Sequence, residues 1–97
     1  MSICILDLIK KHMSVFERFS KVYLFGSSIV HEETSNDLDL FLIYEVYSDD
    51  LIAECKKIRT ELENLAGMPI DITALSREET IETNFLKRLN NKYIQIK

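Results

Sequence analysis

Two aspartates separated by one residue, Asp37 and Asp39, stand where a polar segment gives way to an apolar run. Side chains two positions apart on a strand point to the same face. Both carboxylates would therefore project together, while Leu38 and Leu40 face the other way. Because like charges held side by side repel unless a cation lies between them, the pair predicts a divalent metal site.

A Gly-Ser pair, Gly26 and Ser27, lies upstream of these aspartates and directly after the apolar residues 22–25. Glycine has no Cβ, so the backbone at Gly26 can turn sharply and approach a ligand closely. Free amides at the start of a following helix would point toward an anion, and Ser27 adds a hydroxyl donor. Alone, the pair also fits an ordinary strand-to-helix turn. Its place before the two aspartates favours a phosphate-binding turn.

A third carboxylate, Asp71, lies between Ile70 and Ile72 in a short apolar stretch. On a strand, Asp71 would project from the face opposite the two isoleucines. If this strand pairs with the one that carries Asp39, all three carboxylates can face one groove. Such a set of hard oxygen ligands suits magnesium better than zinc.

The composition predicts one compact domain, over residues 1–97, with an apolar fraction of 46%, one proline and two glycines. The formal charge of −4, from 16 acidic and 12 basic residues, gives no long-range attraction to nucleic acid. The same charge is compatible with an acidic groove that collects magnesium.

The two cysteines, Cys4 and Cys55, are isolated from each other and from histidines in the sequence. This spacing argues against a zinc site or a disulfide framework and favours two buried thiols in a reducing compartment. We recognise no signal peptide and no segment of membrane-spanning length. We therefore expect a cytoplasmic protein.

The apolar spacing predicts the order α-β-α-β-α-β-α-β. A first helix covers residues 3–19, a short helix follows Gly26, and strands cover residues 22–25, 38–47, 70–75 and 93–96. Ser48 is the predicted N-cap of a helix that Gly67 ends, with an apolar stripe at Leu51, Cys55, Ile58, Leu62 and Leu65. Ser76 and Glu79 form a predicted capping box for a last helix, whose stripe is Ile81, Phe85 and Leu89. The expected fold class is α/β (α+β), with a single mixed sheet packed against helices.

A Gly-Ser turn, an Asp-x-Asp strand and a third acidic residue on a neighbouring strand resemble the signature of the nucleotidyltransferase superfamily that includes DNA polymerase β. The resemblance covers nearly the whole chain, from the strand before Gly26 to the last strand. It is strongest to the minimal nucleotidyltransferases (MNT), which act as antitoxins of HEPN ribonuclease toxins. It implies a core like the palm of polymerase β.

The resemblance also implies a role for each residue of the signature. Gly26 and Ser27 would hold the terminal phosphates of the nucleotide. Asp37 and Asp39 would ligate two Mg²⁺ ions, and Asp71 would bind the catalytic ion and orient or deprotonate the attacking hydroxyl. The activity would be magnesium-dependent transfer of a nucleoside monophosphate, AMP from ATP, to a tyrosine of a HEPN toxin.

Two other functions remain open. Residues 28–31 lack the arginine and second glycine common in the antitoxin group, which favours a catalytically weak module that neutralises its partner by occlusion. A transferase for a small-molecule acceptor is the other alternative. The apolar Tyr44, Val46 and Tyr47 are candidates for contact with an all-helical partner in a hetero-oligomer, or for burial under the chain's own helices.

Overall fold

The strands form one mixed sheet in this computed structural model, which describes residues 5–25, 38–89 and 92–97. The strands are β1 (Lys21–Phe25), β2 (Leu38–Tyr44), β3 (Ile70–Ser76) and β4 (Tyr93–Gln95), and the helices are α1 (Ile5–Lys10), α2 (Leu51–Ala66), α3 (Arg77–Thr83) and α4 (Phe85–Arg88). The strand order is β3-β2-β1-β4. β2 pairs with β3 in parallel and with β1 antiparallel, and β4 pairs antiparallel with β1. The predicted fold class is confirmed, while the helix predicted after Gly26 lies outside the described residues.

The central strand β2 is covered on both faces, as its continuous apolar run predicts. Leu38, Leu40 and Leu42 are fully buried in the cluster that α2 completes. Phe41 and Ile43 point to the other face, where they pack with residues of α4. None of the helices in the described ranges has both the length and the apolar character needed to span a bilayer.

Helix α2 attaches to the sheet through Leu51, Ile58 and Leu62, which are all buried at helical spacing. It ends at Gly67, whose φ of 69° is left-handed and whose N–H donates to the Glu63 carbonyl. The prediction that Gly67 ends this helix is thus confirmed. Leu65, predicted on the buried stripe, is 44% exposed.

The start of α2 differs from the prediction of a Ser48 N-cap. The helix begins at Leu51, and the Ser48 hydroxyl donates to Asp50 and accepts from Arg18. Arg18 also pairs with the Asp50 carboxylate at 2.6 Å. A cation from a distant part of the chain therefore engages the two side chains that could have capped the helix.

The first helix is shorter than predicted. α1 ends at Lys10, and a single 3₁₀ turn follows at Met13–Phe16. The Phe19 N–H donates to the Phe16 carbonyl three residues earlier, a tight turn that places residues three apart on one side. Phe16 and Phe19 are both buried, at 0% and 1% exposure. Both side chains belong to the core cluster that α2 completes.

The capping box at the start of α3 is confirmed. The Glu79 N–H donates to the Ser76 hydroxyl, and the Ser76 N–H donates to the Glu79 carboxylate. The predicted single last helix is interrupted at Asn84, which has a φ of 52°. Asparagine tolerates this left-handed conformation better than most residues. Ile81 is 69% exposed, so the prediction that it belongs to the buried apolar stripe is wrong.

The capping box gives a test of stability. Ser76→Ala removes the acceptor for the Glu79 amide, so we expect a loss of about 1 kcal/mol. In a domain of this size the melting temperature falls by about 4–8 °C. Ser14→Ala, at an exposed position of the 3₁₀ turn, is the control and leaves the melting temperature unchanged. Equal melting temperatures for Ser76→Ala and wild type would contradict the contribution of the box.

The Arg18–Asp50 pair predicts a pH-dependent stability. The hydrogen bond from Arg18, followed by that from Ser48, holds the pKa of Asp50 far below its ordinary value of 3.8. The stabilisation of the fold by this pair is therefore complete at pH values above 3.8, and it is lost as the pH falls through the lowered pKa of Asp50. In urea denaturation, the free energies of unfolding of wild type and Asp50→Asn should differ most near pH 6, and the difference should shrink steadily as the pH falls below 3.8. Because both side chains are exposed, added salt should also narrow the gap. A difference in unfolding free energy that depends on neither pH nor salt would exclude the Arg18–Asp50 pair as its source.

Candidate active site

Asp39 and Asp71 occupy paired positions of the parallel strands β2 and β3. Paired residues of neighbouring strands project from the same face, and such strands lie about 4.8 Å apart. The neighbouring pair, Leu38 and Ile70, is buried on the opposite face with α2. The two carboxylates are therefore side by side on the face away from α2, as the sequence predicts if the two strands pair.

An aromatic layer borders the carboxylates on this face. Phe41, the next residue of β2 on the same face as Asp39, is fully buried. Its ring centroid lies 4.4 Å from that of Phe85 and 5.7 Å from that of Tyr23. Asp39 is half-buried and Asp71 is exposed, so the carboxylates lie at the boundary between this layer and solvent. A cation bound there interacts more strongly with the carboxylates than it would in bulk water.

The antiparallel pairing of β1 extends this row across the sheet. Phe25 is in register with Asp39, and Tyr93 of β4 is in register with Phe25. Phe25 packs edge-on against Phe85 at 5.9 Å, and Tyr93 packs edge-on against Tyr23 at 5.4 Å. One transverse row thus holds two carboxylates followed by two aromatic side chains. Sequence reasoning missed this row, although Phe25 stands directly before the Gly-Ser pair.

Three of the five predicted site residues, Gly26, Ser27 and Asp37, lie outside the described residues. Their roles as phosphate and metal ligands stay predictions. Across residues 5–25, 38–89 and 92–97, no three histidine, cysteine or acidic side chains converge on a possible metal position. The described part of the chain therefore brings together two of the three predicted carboxylates.

His12, Lys87 and Arg88 have simple surroundings in the described structure. The His12 ring is hydrogen-bonded through Nδ1 to the Leu8 carbonyl of α1 at 2.9 Å. Lys87 and Arg88 are exposed on α4. His31 lies outside the described residues.

The carboxylate pair fits a magnesium ion. Mg²⁺ prefers oxygen ligands and is commonly held by one or two carboxylates while it keeps several waters. Asp39 and Asp71 supply such ligands from neighbouring strands, with Asp71 open to solvent. Neither sulfur nor imidazole accompanies them on the described strands, which agrees with a hard cation rather than zinc.

Solved structures with the same fold include complexes of toxins and antitoxins. The chain is 17% identical to a chain of a toxin-antitoxin crystallised with AMP-PNP, with a TM-score of 0.67, over 95% of this chain and 72% of that one. It is 13% identical to a chain from the tri-AMPylated Shewanella oneidensis HEPN toxin in complex with an MNT antitoxin, with a TM-score of 0.60, over 95% and 71% of the two chains. A third match, to a mutant MntA-HpeT toxin-antitoxin, has 15% identity and a TM-score of 0.65 over 96% and 69%. At these identities the likeness is one of fold.

The family comparison covers most of the chain. The model described as polymerase beta, nucleotidyltransferase, matches residues 7–94. Among proteins with curated functions, none matches at a significant level. The matched segment contains Asp39 and Asp71 together with strands β1, β2 and β3 and the first two residues of β4. The chain therefore belongs to the polymerase beta nucleotidyltransferase family.

Proposed function

We propose that this chain is a magnesium-dependent nucleotidyltransferase that moves AMP from ATP to a tyrosine hydroxyl of a HEPN toxin and thereby acts as an antitoxin. The observation that carries the proposal is the register of Asp39 with Asp71 on the sheet face away from α2, in a chain of the nucleotidyltransferase family. Two acidic side chains at paired positions repel each other, and a bound cation relieves that repulsion.

The reaction needs positioning and charge neutralisation more than a covalent intermediate. The acceptor oxygen forms a bond to the α-phosphorus of ATP, the bond from that phosphorus to the bridging oxygen breaks, and pyrophosphate leaves. The hydroxyl proton passes to a base, for which Asp71 is our candidate. Bound magnesium would neutralise the phosphate charges, two ions being our expectation for the site.

Each remaining site residue has a role in this proposal. Asp39, with Asp37, holds the cations beside the phosphates. Gly26 and Ser27 hold the terminal phosphates through backbone amides and the serine hydroxyl. The solvent-exposed position of Asp71 at the edge strand leaves space for an acceptor on that side of Asp39.

The partner is proposed on two grounds. One similar structure contains AMP-PNP, and another contains a tri-AMPylated HEPN toxin with its MNT antitoxin, so the same fold occurs in proteins with this combination. This chain also exposes Val46 by 78% and Tyr47 by 58%. Exposed apolar and tyrosine side chains next to one another are typical of a surface that a partner covers.

One alternative from a different class is a module that neutralises its partner by occlusion. The sequence of residues 28–31, without an arginine or second glycine, favours it, since arginine is a strong phosphate ligand.

Incubation with α-labelled ATP, magnesium and the co-expressed partner separates the functions. Label on the partner supports the transferase, and a stable unlabelled complex supports occlusion. Label on a small acceptor supports a free-standing transferase.

The first prediction concerns catalysis by Asp39. Asp39→Asn removes a charge at the metal position, and we expect transfer to fall by at least ~100-fold. The fold should survive, because the substitution relieves repulsion with Asp71. Label transfer to the partner is the readout, and circular dichroism checks the fold. Asp49→Asn, at an exposed position before α2, is the matched control and retains activity. A folded Asp39→Asn protein with wild-type transfer would refute the metal assignment.

The second prediction concerns ligand-linked stability. Mg·ATP binds the folded site alone, so at a hundred times its dissociation constant it adds about 2.7 kcal/mol. For a domain of this size the melting temperature rises by about 11–22 °C. The rise should disappear in Asp37→Asn and in Asp39→Asn and persist in Asp49→Asn. An unchanged wild-type melting curve at saturating Mg·ATP would favour the occlusion module.

A further inference from the structure

A groove lies between one flank of α2 and the edge strand β3, on the sheet face opposite Asp39 and Asp71. We call it the α2–β3 groove. Its volume is about 340 Å³, and its lining residues are Tyr44, Tyr47, Leu51, Ile52, Cys55, Lys56, Arg59, Ile72 and Ala74. Burial raises the pKa of the Cys55 thiol, so the thiol stays protonated and this part of the wall is neutral.

The floor of the groove is a part of the sheet that α2 leaves incompletely covered. Parallel strands are normally covered by helices on both faces. On the α2 face of β3, Ile70 is 1% exposed, whereas Ile72 and Ala74 are half-buried. The adjoining flank of α2 exposes Ile52 by 60%. An apolar floor and an apolar wall thus meet at a corner, and a second helix, packed at the usual distance of about 8–10 Å from α2, would contact both.

The edge of β3 favours a helix over an added strand. The Ile70 N–H donates to the Glu63 carboxylate at 2.9 Å, and the Ser76 N–H donates to the Glu79 carboxylate at 3.0 Å. An extended segment along this edge would compete with these bonds at both ends of the strand. A helix satisfies its main-chain groups internally and contacts the groove through side chains alone.

Two cations on the flank of α2 give the groove its charge. Lys56 and Arg59 are exposed and are the charged members of the lining. They follow Ile52 at intervals of four and three residues, so the three side chains share one flank of the helix. The salt bridges found in the described part of the chain involve neither cation. On a chain with a net charge of −4, this local positive charge beside apolar side chains complements an acidic partner.

We propose that the α2–β3 groove binds an amphipathic helix of a partner protein, with an apolar stripe and acidic side chains along one side of that stripe. The stripe rests on Ile72 and Ala74 and against Ile52, and the carboxylates on the side facing α2 reach Lys56 and Arg59. Neighbouring positions around a helix are three and four residues apart, so one helix makes both contacts at once.

The occupant is a short helix, and it leaves the opposite face of the sheet open. Ile52 and Arg59 lie about 10 Å apart along α2, at about 1.5 Å per residue, so a helix of about three turns extends past both. Because Asp39 and Asp71 are on the other face, they remain accessible. The proposal therefore goes beyond the transfer of AMP and does not rest on it.

Charge and shape select this occupant over a second copy of the chain. A two-fold dimer through the groove presents the same patch from both sides, so it would bring both sets of Lys56 and Arg59 into a single interface. Like charges at an interface oppose association. A head-to-tail contact through α3 would offer Ile81 beside Glu78 and Glu82, but a single exposed apolar side chain makes no stripe.

The test uses a fluorescent peptide of roughly 18 residues, long enough to form a helix. Its leucines form one stripe, and glutamates line one side of that stripe. A second peptide has lysine in place of each glutamate, and a third has the acidic composition in scrambled order. Binding to the wild-type chain is measured by fluorescence anisotropy without nucleotide or magnesium, so the outcome is independent of the proposed catalysis.

We expect the acidic peptide to bind at micromolar concentration despite the acidic net charge of the protein. The other two peptides should bind at least about tenfold more weakly. The acidic peptide should gain helical circular dichroism on binding. Bound peptide should also slow the alkylation of Cys55, located by mass spectrometry, because this half-buried thiol lies in the groove wall.

Matched variants locate the binding. Ile52→Glu and Arg59→Glu, both at exposed positions of the groove, should weaken binding of the acidic peptide by about tenfold or more. Arg59→Glu should in turn strengthen binding of the lysine peptide. Ile81→Glu and Arg88→Glu, exposed on α3 and α4, change the net charge by the same amounts and should leave both affinities unchanged.

Four results would overturn the proposal. Three of them are equal binding of the acidic and lysine peptides, equal effects of groove and control variants, and binding without a gain in helicity. The fourth is a doubled mass of the protein alone in light scattering that Ile52→Glu abolishes, since that result assigns the groove to a second copy.

Discussion

The parallel pairing of β2 with β3 is the constraint on which the rest of the arrangement depends. It places Asp39 beside Asp71 on one face and Leu38 beside Ile70 on the other. A slip of one residue in β3 would turn Asp71 toward the α2 core and bring Ile72 to the face that holds Asp39. Burial of Ile70 at 1% exposure opposes this slip, so the hydrophobic core sets the geometry of the polar site.

The sequence predicted the features that alternate along a strand or repeat along a helix. The apolar run of β2 indicated a central strand, and the position of Asp71 between two isoleucines indicated the face it occupies. Gly67 and the pair Ser76–Glu79 marked helix ends, because their effect depends on local backbone geometry. These signals are short in range and can be read from a few neighbouring residues.

Features that depend on distant contacts could not be predicted in the same way. Arg18 engages Ser48 and Asp50, which lie far along the chain, and no local pattern reveals that pairing. The register of Phe25 with Asp39 depends on how the two strands meet, and the intervening connection does not specify it. In the sequence, Asn84 fits one continuous helical pattern, so its left-handed conformation between α3 and α4 could not be predicted. The next residue, Phe85, packs on Phe41 of the sheet.

The carboxylate pair also bears on which substitutions evolution would accept in this chain. Asp39 and Asp71 occupy strand positions, where aspartate is disfavoured. A threonine or valine at either position would suit the sheet better, so random substitution filtered for folding alone would tend to remove the acids. Proteins commonly give up some stability in this way at the residues on which activity depends. On the proposed function, selection for metal binding is what retains these two acids at strand positions.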